Sequence, residues 1–476
     1  VIILFLCIGL LILGYFSYGK VVERIFGPDP SRPTPCSTMS DGVDYASMPT
    51  WKVFFIQLLD IAGVGPVFGP ILGALYGPVA LVWIVVGAIF AGAVHDYFSG
   101  MLSVRNRGAS IPDVVGTFLG LHARWVMRFF SLLLLLLVGV VFVLSPAQLL
   151  GNLTGLNVQF MVACIFGYYF LATILPIDKL IGRLYPFFGA LLLFMSLGVL
   201  VGMALGDAPV LPNLDVTVNT HPQGLPIWPL LFITLSCGAI SGFHSTQSPL
   251  MARCIRNESR GRLVFYGAMI AEGIIALVWA AAGMTLFYGP DALFQVIQSG
   301  TPSLVVYQVC QTLLGPVGGF LAILGVIILP ITSGDTAFRS SRLILAETFS
   351  LPQTRAAKRL LLAVPLFILA FLVSTQDFNL IWRYFGWSNQ TLAMLVLWSA
   401  AIYLRQNGKF HWIATLPALF MTAVTVSFIL QASIGFNLSP GLSNPAGVAA
   451  AALAMAVLLR VKPLTKSTFN KPKGES

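Results

Sequence analysis

The stretch that decides the fold is Ile61-Ala-Gly-Val-Gly-Pro-Val-Phe-Gly-Pro70, two Gly-Pro steps inside an otherwise apolar run. Pro66 and Pro70 carry no backbone N–H and the glycines loosen the chain, so a helix laid over 53–76 is predicted to unwind here. A second stretch of this kind is Cys237-Gly-Ala-Ile-Ser-Gly-Phe-His-Ser-Thr-Gln-Ser-Pro249, with two glycines, a proline and a dense polar run. Unwound backbone survives in a bilayer only where it is buried in protein or lines a cavity. One such segment can be a proline kink packed by its neighbours. Two at corresponding places in a chain point to the central site of a transporter.

Working outward, the composition requires a membrane. Charged residues make up 9% of the 476 and hydrophobic ones 57%, whereas a soluble domain carries about 25% charged residues. The six cysteines are scattered without a C-x-x-C pair, as small packing residues are. Apolar runs of spanning length, about 17–25 residues, fall near 1–19, 53–76, 79–101, 125–145, 158–175, 184–205 and 227–251. Others follow near 263–287, 316–338, 360–374, 379–404, 411–432 and 445–460, about thirteen in all. The first reads as an anchor helix, because Lys20 and Arg24 follow its apolar run.

Of the 27 Lys and Arg, all but Arg383 lie on alternate connections. The connections around 77, 146–157, 206–226, 288–315, 375–378 and 433–444 carry none. The positive-inside rule therefore places the N-terminus in the periplasm and the C-terminus in the cytoplasm. It also explains the net charge of +10 without a nucleic-acid partner. Counted along these spans, the two unwound segments sit five helices apart and run in opposite directions, as an inverted 5+5 repeat requires. The expected organisation is an accessory helix over 1–26, repeats over 51–205 and 227–404, and two accessory helices over 410–461.

Five stretches, Ile61–Gly73 (IAGVGPVFGPILG), Ala91–Tyr97 (AGAVHDY), Cys237–Ser245 (CGAISGFHS), Ile331–Arg342 (ITSGDTAFRSSR) and Tyr384–Ala393 (YFGWSNQTLA), together carry a family likeness. On them the chain resembles the carbon starvation protein A (CstA) family in its shorter form. It implies a bacterial inner-membrane permease associated with peptide uptake in starvation and, in some members, proton-coupled pyruvate uptake. It further implies the LeuT-type fold of the amino acid–polyamine–organocation superfamily, in agreement with the 5+5 reading. Longer relatives carry two histidines just before the IAG motif, where this chain has Gln57 and Leu58.

The expected substrate site lies at the two breaks: Gly63, Gly65, Pro66 and Phe68 from the first, Gly238, Ser241, His244 and Gln247 from the second. The half-helix after Gly65 presents free N–H groups suited to a carboxylate. Ionisable groups at membrane depth cost roughly 2.5–3.5 kcal/mol on insertion scales, which makes each a functional candidate. Asp60, Glu272 and Asp335, with Ala62, Thr332, Ser333 and Thr336, form the expected cation-coupling set. Ala62, Thr332 and Ser333 would hold a sodium ion, and a proton is the alternative coupling ion. Asp335 could instead be the i,i+4 partner of Arg339. His95 and Asp96 read as helix-end or gating residues, Asn389 and Gln390 as helix braces, and Arg383 as a snorkelling side chain. No G-x-S-x-G, H-E-x-x-H or P-loop supports a membrane-embedded enzyme, and no ring-like filter supports a channel. The partners expected are a small substrate and lipid, with no cofactor beyond the coupling ion.

Overall fold

The computed structural model of the chain describes residues 2–40, 45–174, 177–206, 215, 218–353 and 355–463, and the tail residues Lys466, Lys471 and Lys473 lie outside them. All regular structure among the described residues is helical. The helices used below are α1 (Ile2–Phe26), α2 (Thr50–Ile61), α3 (Gly65–Tyr76), α4 (Val79–Arg105) and α5 (Leu121–Gly151). The short apolar helices α6 (Val158–Leu171) and α7 (Gly189–Leu205) follow. Next come α8 (Ile227–Thr234), α9 (Gly242–Ala252), α10 (Glu258–Thr285) and α11 (Pro290–Thr348). The chain continues through α12 (Ala356–Val373), α13 (Phe378–Gln406), α14 (Trp412–Gln431) and α15 (Pro440–Arg460).

Eight described helices are long and apolar enough to cross a bilayer, nine when α2 and α3 count as one bent span. The bend between those two is 47°, at the Gly-Pro stretch where the sequence places it. The other expected spans are helical too, but shorter (α6 and α7), broken (α8 with α9), more polar (α13) or, over 316–338, part of the long α11.

One expectation is overturned. The connection placed over 288–315 is helical and forms the first part of α11, which bends at Gly300–Thr301 and again at Gly315. Leu293, Ile297, Val305, Val306, Val309 and Cys310 are buried at helical spacing, and Ser303 donates to the Ser145 carbonyl of α5 at 3.4 Å. The lack of Lys and Arg reports which side of the membrane a segment faces, not whether its backbone is helical.

Small residues let the central helices approach closely. A Cβ on Gly273 of α10 would stand 3.2 Å from Ala88 of α4, and one on Gly283 would stand 3.2 Å from Ala74 of α3. Two of these central helices contain a π-helical turn, Ala88–Gly92 in α4 and Arg262–Tyr266 in α10. The Tyr266 hydroxyl donates to the Ile89 carbonyl at 3.0 Å, joining the two turns.

At the end of the molecule where α4 and α13 finish and α10 begins, a buried ion-pair network ties the elements together. Glu258 pairs with Arg105 at 3.1 Å and accepts the Asp29 N–H at 2.9 Å. Arg105 also donates to the Gly27 carbonyl at 2.8 Å and to the Tyr403 hydroxyl, and lies 4.0 Å above the Phe26 ring.

Candidate functional site

The second break has an unusual means of support. Between α8 and α9 the backbone from Leu235 to Ser241 is non-helical. Gly238 sits at φ +86°, where a side chain would be strained and a Cβ would meet Ala276. Such a stretch leaves carbonyls orphaned at the end of α8 and N–H groups at the start of α9. One side chain, Asn389 of α13, serves both ends: its Oδ1 accepts the Phe243 N–H at 2.7 Å, and its Nδ2 donates to the Ser236 carbonyl. Gln390 donates to the Phe232 carbonyl at 2.9 Å. Both residues therefore do brace helices, as their sequence reading expects.

The first break is built differently. Ala62, Gly63 and Val64 separate α2 from α3, with Pro66 in the first turn of α3. Glycines here make room for other elements rather than for side chains of their own. A Cβ on Gly65 would fall 2.5 Å from Cys237 Sγ, and one on Gly63 would fall 2.9 Å from Ser333 Oγ. Gly69 would meet the Thr234 carbonyl at 3.4 Å. The start of α3 therefore packs directly on the unwound segment of the second break. Phe68 is buried, its ring 6.4 Å from that of Trp382.

Where the breaks meet, four ionisable side chains form one continuous buried chain. His95 Nδ1 lies 2.7 Å from Asp96 Oδ1, and Asp96 Oδ2 lies 2.8 Å from His244 Nδ1. His244 Nε2 lies 3.2 Å from Glu272 Oε2, and Glu272 Oε1 accepts the Gly238 N–H at 3.2 Å. All four side chains are fully buried. The four come from three helices: His95 and Asp96 on α4, His244 on α9, Glu272 on α10. Around them, Ser248 donates to the His244 carbonyl at 2.9 Å and receives a bond from Ser99 at 3.1 Å. Gln57 reaches the same hydroxyl at 3.5 Å, so it too borders this chain.

The structure regroups the expected residues. His244 stands in the first turn of α9, just past the unwound segment and not inside it, because Ser241 is the last non-helical residue. Glu272 lies against His244 at 3.2 Å, on a different helix from Asp335. His95 and Asp96 are not helix-end groups; they sit inside α4, ten and nine residues before its end at Arg105, and Asp96 meets His244 of α9. Ser241 lies 3.3 Å from Cys237 Sγ and 3.2 Å from Asn389 Oδ1, while Gln247 donates to Thr246 at 2.9 Å, away from the chain. Asp60 is buried beside the first break. Asp335 lies 3.5 Å from Arg339, the i,i+4 pairing its spacing allows. Thr336 turns back to the Ser333 carbonyl at 2.9 Å, and the Thr332 side chain lies outside the described residues.

Sequence reasoning missed Asp96 as the central acid, and it gave Asn389 as a helix brace without placing it at the break. The histidine–aspartate dipeptide at 95–96 was the signal: an ionisable pair in an apolar helix, beside no loop charge. Cys237 was read as packing; its sulfur, His244 and Glu272 each bring one ligand atom within 4.8 Å of the others, a set that could also hold a divalent transition ion.

A profile of the family described as "Carbon starvation protein CstA" matches residues 1–153, 144–301 and 295–428. The chain belongs to the carbon starvation protein CstA family. Among its relatives is an uncharacterized membrane protein of Haemophilus influenzae, 49% identical over 359 residues, covering 64% of this chain and 97% of that protein. The peptide transporter CstA of Escherichia coli is 24% identical over 89% of this chain and 81% of its own length. The pyruvate/proton symporter BtsT of the same organism is 26% identical over 56% of this chain and 46% of its own. Among solved structures, Mhp1 in its inward-facing conformation aligns with 94% of this CstA-family chain and 98% of its own, at a TM-score of 0.54 and 17% identity. A manganese transporter of Eremococcus coleocola gives 0.56 over 88% and 97%, at 12% identity. The chain thus has the fold of these multi-pass membrane transporters, the LeuT-type fold implied by the family resemblance.

Proposed function

We propose that this CstA-family chain is a proton-coupled secondary transporter that imports a small carboxylate-bearing nutrient, such as pyruvate or a short peptide. In this reading it lies in the bacterial inner membrane with its N-terminus periplasmic. Its core is the pair of inverted five-helix repeats over 51–205 and 227–404, within thirteen spans. The names of its relatives, a peptide transporter and a pyruvate/proton symporter, support the substrate class.

The observation that carries the reading is the buried chain His95–Asp96–His244–Glu272. Two carboxylates and two imidazoles away from water are costly to ionise together. An imidazole with a carboxylate at each nitrogen donates at both only when it holds an extra proton. Proton uptake therefore changes the bonds that join α4, α9 and α10, and these are the elements that flank both breaks. The carboxylate of the substrate would meet the N-terminus of α3, beside Cys237 and Ser241. A sodium ion at Ala62, Thr332 and Ser333 has less support, since Thr336 bonds its own helix and Asp335 faces Arg339.

The test is uptake of pyruvate and of dialanine into liposomes holding the purified protein, with a pH gradient and a sodium gradient imposed separately. The pH gradient alone should drive accumulation, and His244→Gln should abolish it while Asp335→Asn retains it. Sodium-driven accumulation lost in Asp335→Asn would overturn the proton reading.

A further inference from the structure

A cavity of about 490 Å³ opens on the face opposite the Glu258–Arg105 network. It is lined by Leu72 of α3 with Ile233 and Thr234, the last residues of α8, and so borders the second break. Its walls carry Tyr76, His221, Gln298, Asn379, Trp382 and Arg383. Every other Lys and Arg belongs to the opposite set of connections. Among the described residues Arg383 is thus the one Lys or Arg on this side, and it lines the cavity beside the second break. No Asp or Glu lines the cavity among the described residues. Asp377, six residues before Arg383, is occupied in capping the Asn379 and Leu380 N–H groups at 3.0 and 3.1 Å.

We propose that this vestibule is a capture subsite for the carboxylate of the incoming substrate, with Arg383 as its anchor and the His221 ring as a second donor. The inference rests on the proposed import of a carboxylate. His221 Nδ1 accepts the Gln223 N–H at 3.2 Å, which leaves the ring proton on Nε2. Burial lowers the affinity of His221 for a second proton, so at neutral pH it donates a hydrogen bond and adds no charge. Its ring is held 4.6 Å from that of Tyr76 at the end of α3. A guanidinium fork matches a carboxylate in shape as well as charge, and a lone cation in a low-dielectric mouth concentrates anions there.

The experiment reads the vestibule without requiring transport. In detergent-solubilised protein carrying Cys164→Ser, which removes the exposed native thiol, Gln298→Cys is labelled with anionic and cationic methanethiosulfonates. The anionic reagent should react about fivefold faster relative to the cationic one, and Arg383→Gln should remove that preference while Arg383→Lys keeps most of it. Pyruvate or dialanine should slow labelling, and pyruvamide should not. A preference unchanged by Arg383→Gln overturns the proposal. So does a preference that falls with Arg383→Gln when neither carboxylate protects the thiol. His244→Gln should leave the labelling pattern intact, so loss of transport through the buried chain and loss of capture are read separately.

Discussion

The two broken helices solve one problem by different means. At the first, between α2 and α3, the adaptation is subtractive: Gly63, Gly65 and Gly69 remove side chains so that Ser333, Cys237 and the Thr234 carbonyl can come close. At the second, between α8 and α9, it is additive. Asn389 supplies hydrogen bonds to both ends of the gap, and His244 joins Asp96 to Glu272. A break made by glycine supplies backbone and space; a break made with side chains can also hold a proton. In the proposed function the first contacts substrate and the second links that contact to a proton gradient.

That contrast can be broken most directly at Asp96. Asp96→Asn keeps the shape and removes the charge between two histidines, and proton-driven uptake should fall about a hundredfold, with a mutant still able to bind substrate in an equilibrium assay. Uptake above half the normal rate would place coupling elsewhere. A smaller effect is expected at Asn389→Ala, which leaves backbone groups on both sides of the second break unpaired. Thermal unfolding should show a loss of about 1–3 kcal/mol, and uptake should fall about tenfold. Asn389→Asp sharpens the point, since it keeps an acceptor for Phe243 and loses the donor to Ser236. The smallest effect belongs to the first break. Gly63→Ala crowds Ser333 and should slow uptake about threefold, at a cost near 1 kcal/mol. Ser333→Gly in the same protein should restore the rate. A Gly63→Ala loss larger than that of Asp96→Asn would reverse the roles given to the two breaks.

Both breaks were legible in the sequence because glycine and proline act locally, through their own backbones. The membrane class and the alternation of charged connections were legible too, since they depend on composition and order alone. The grouping of the acids was not. Glu272 lies 28 residues from His244 and Asp96 lies 148 away, and only the packing of α4, α9 and α10 brings their oxygens to the imidazole. Asp335 shows the reverse case, where the short-range alternative, pairing with Arg339 one turn on, is the arrangement the structure has. The helical character of 290–314 is not legible as a long apolar run, because Asp291, Gln295, Gln298 and Ser299 interrupt it, and the absence of Lys and Arg says nothing of helicity.

The π-helical turns in α4 and α10 give the buried chain a further property. A π turn holds one residue more than an α turn in the same stretch of helix, and one residue corresponds to about 100° of rotation. Both acids facing His244 lie shortly after such a turn, Asp96 after Ala88–Gly92 and Glu272 after Arg262–Tyr266. Their direction is thus set by where the surplus residue is stored. If the surplus passed from one side of Asp96 to the other, its carboxylate would swing off His244 while both ends of α4 kept their places. The acids are therefore mounted on helices whose angular register can change without a change in length.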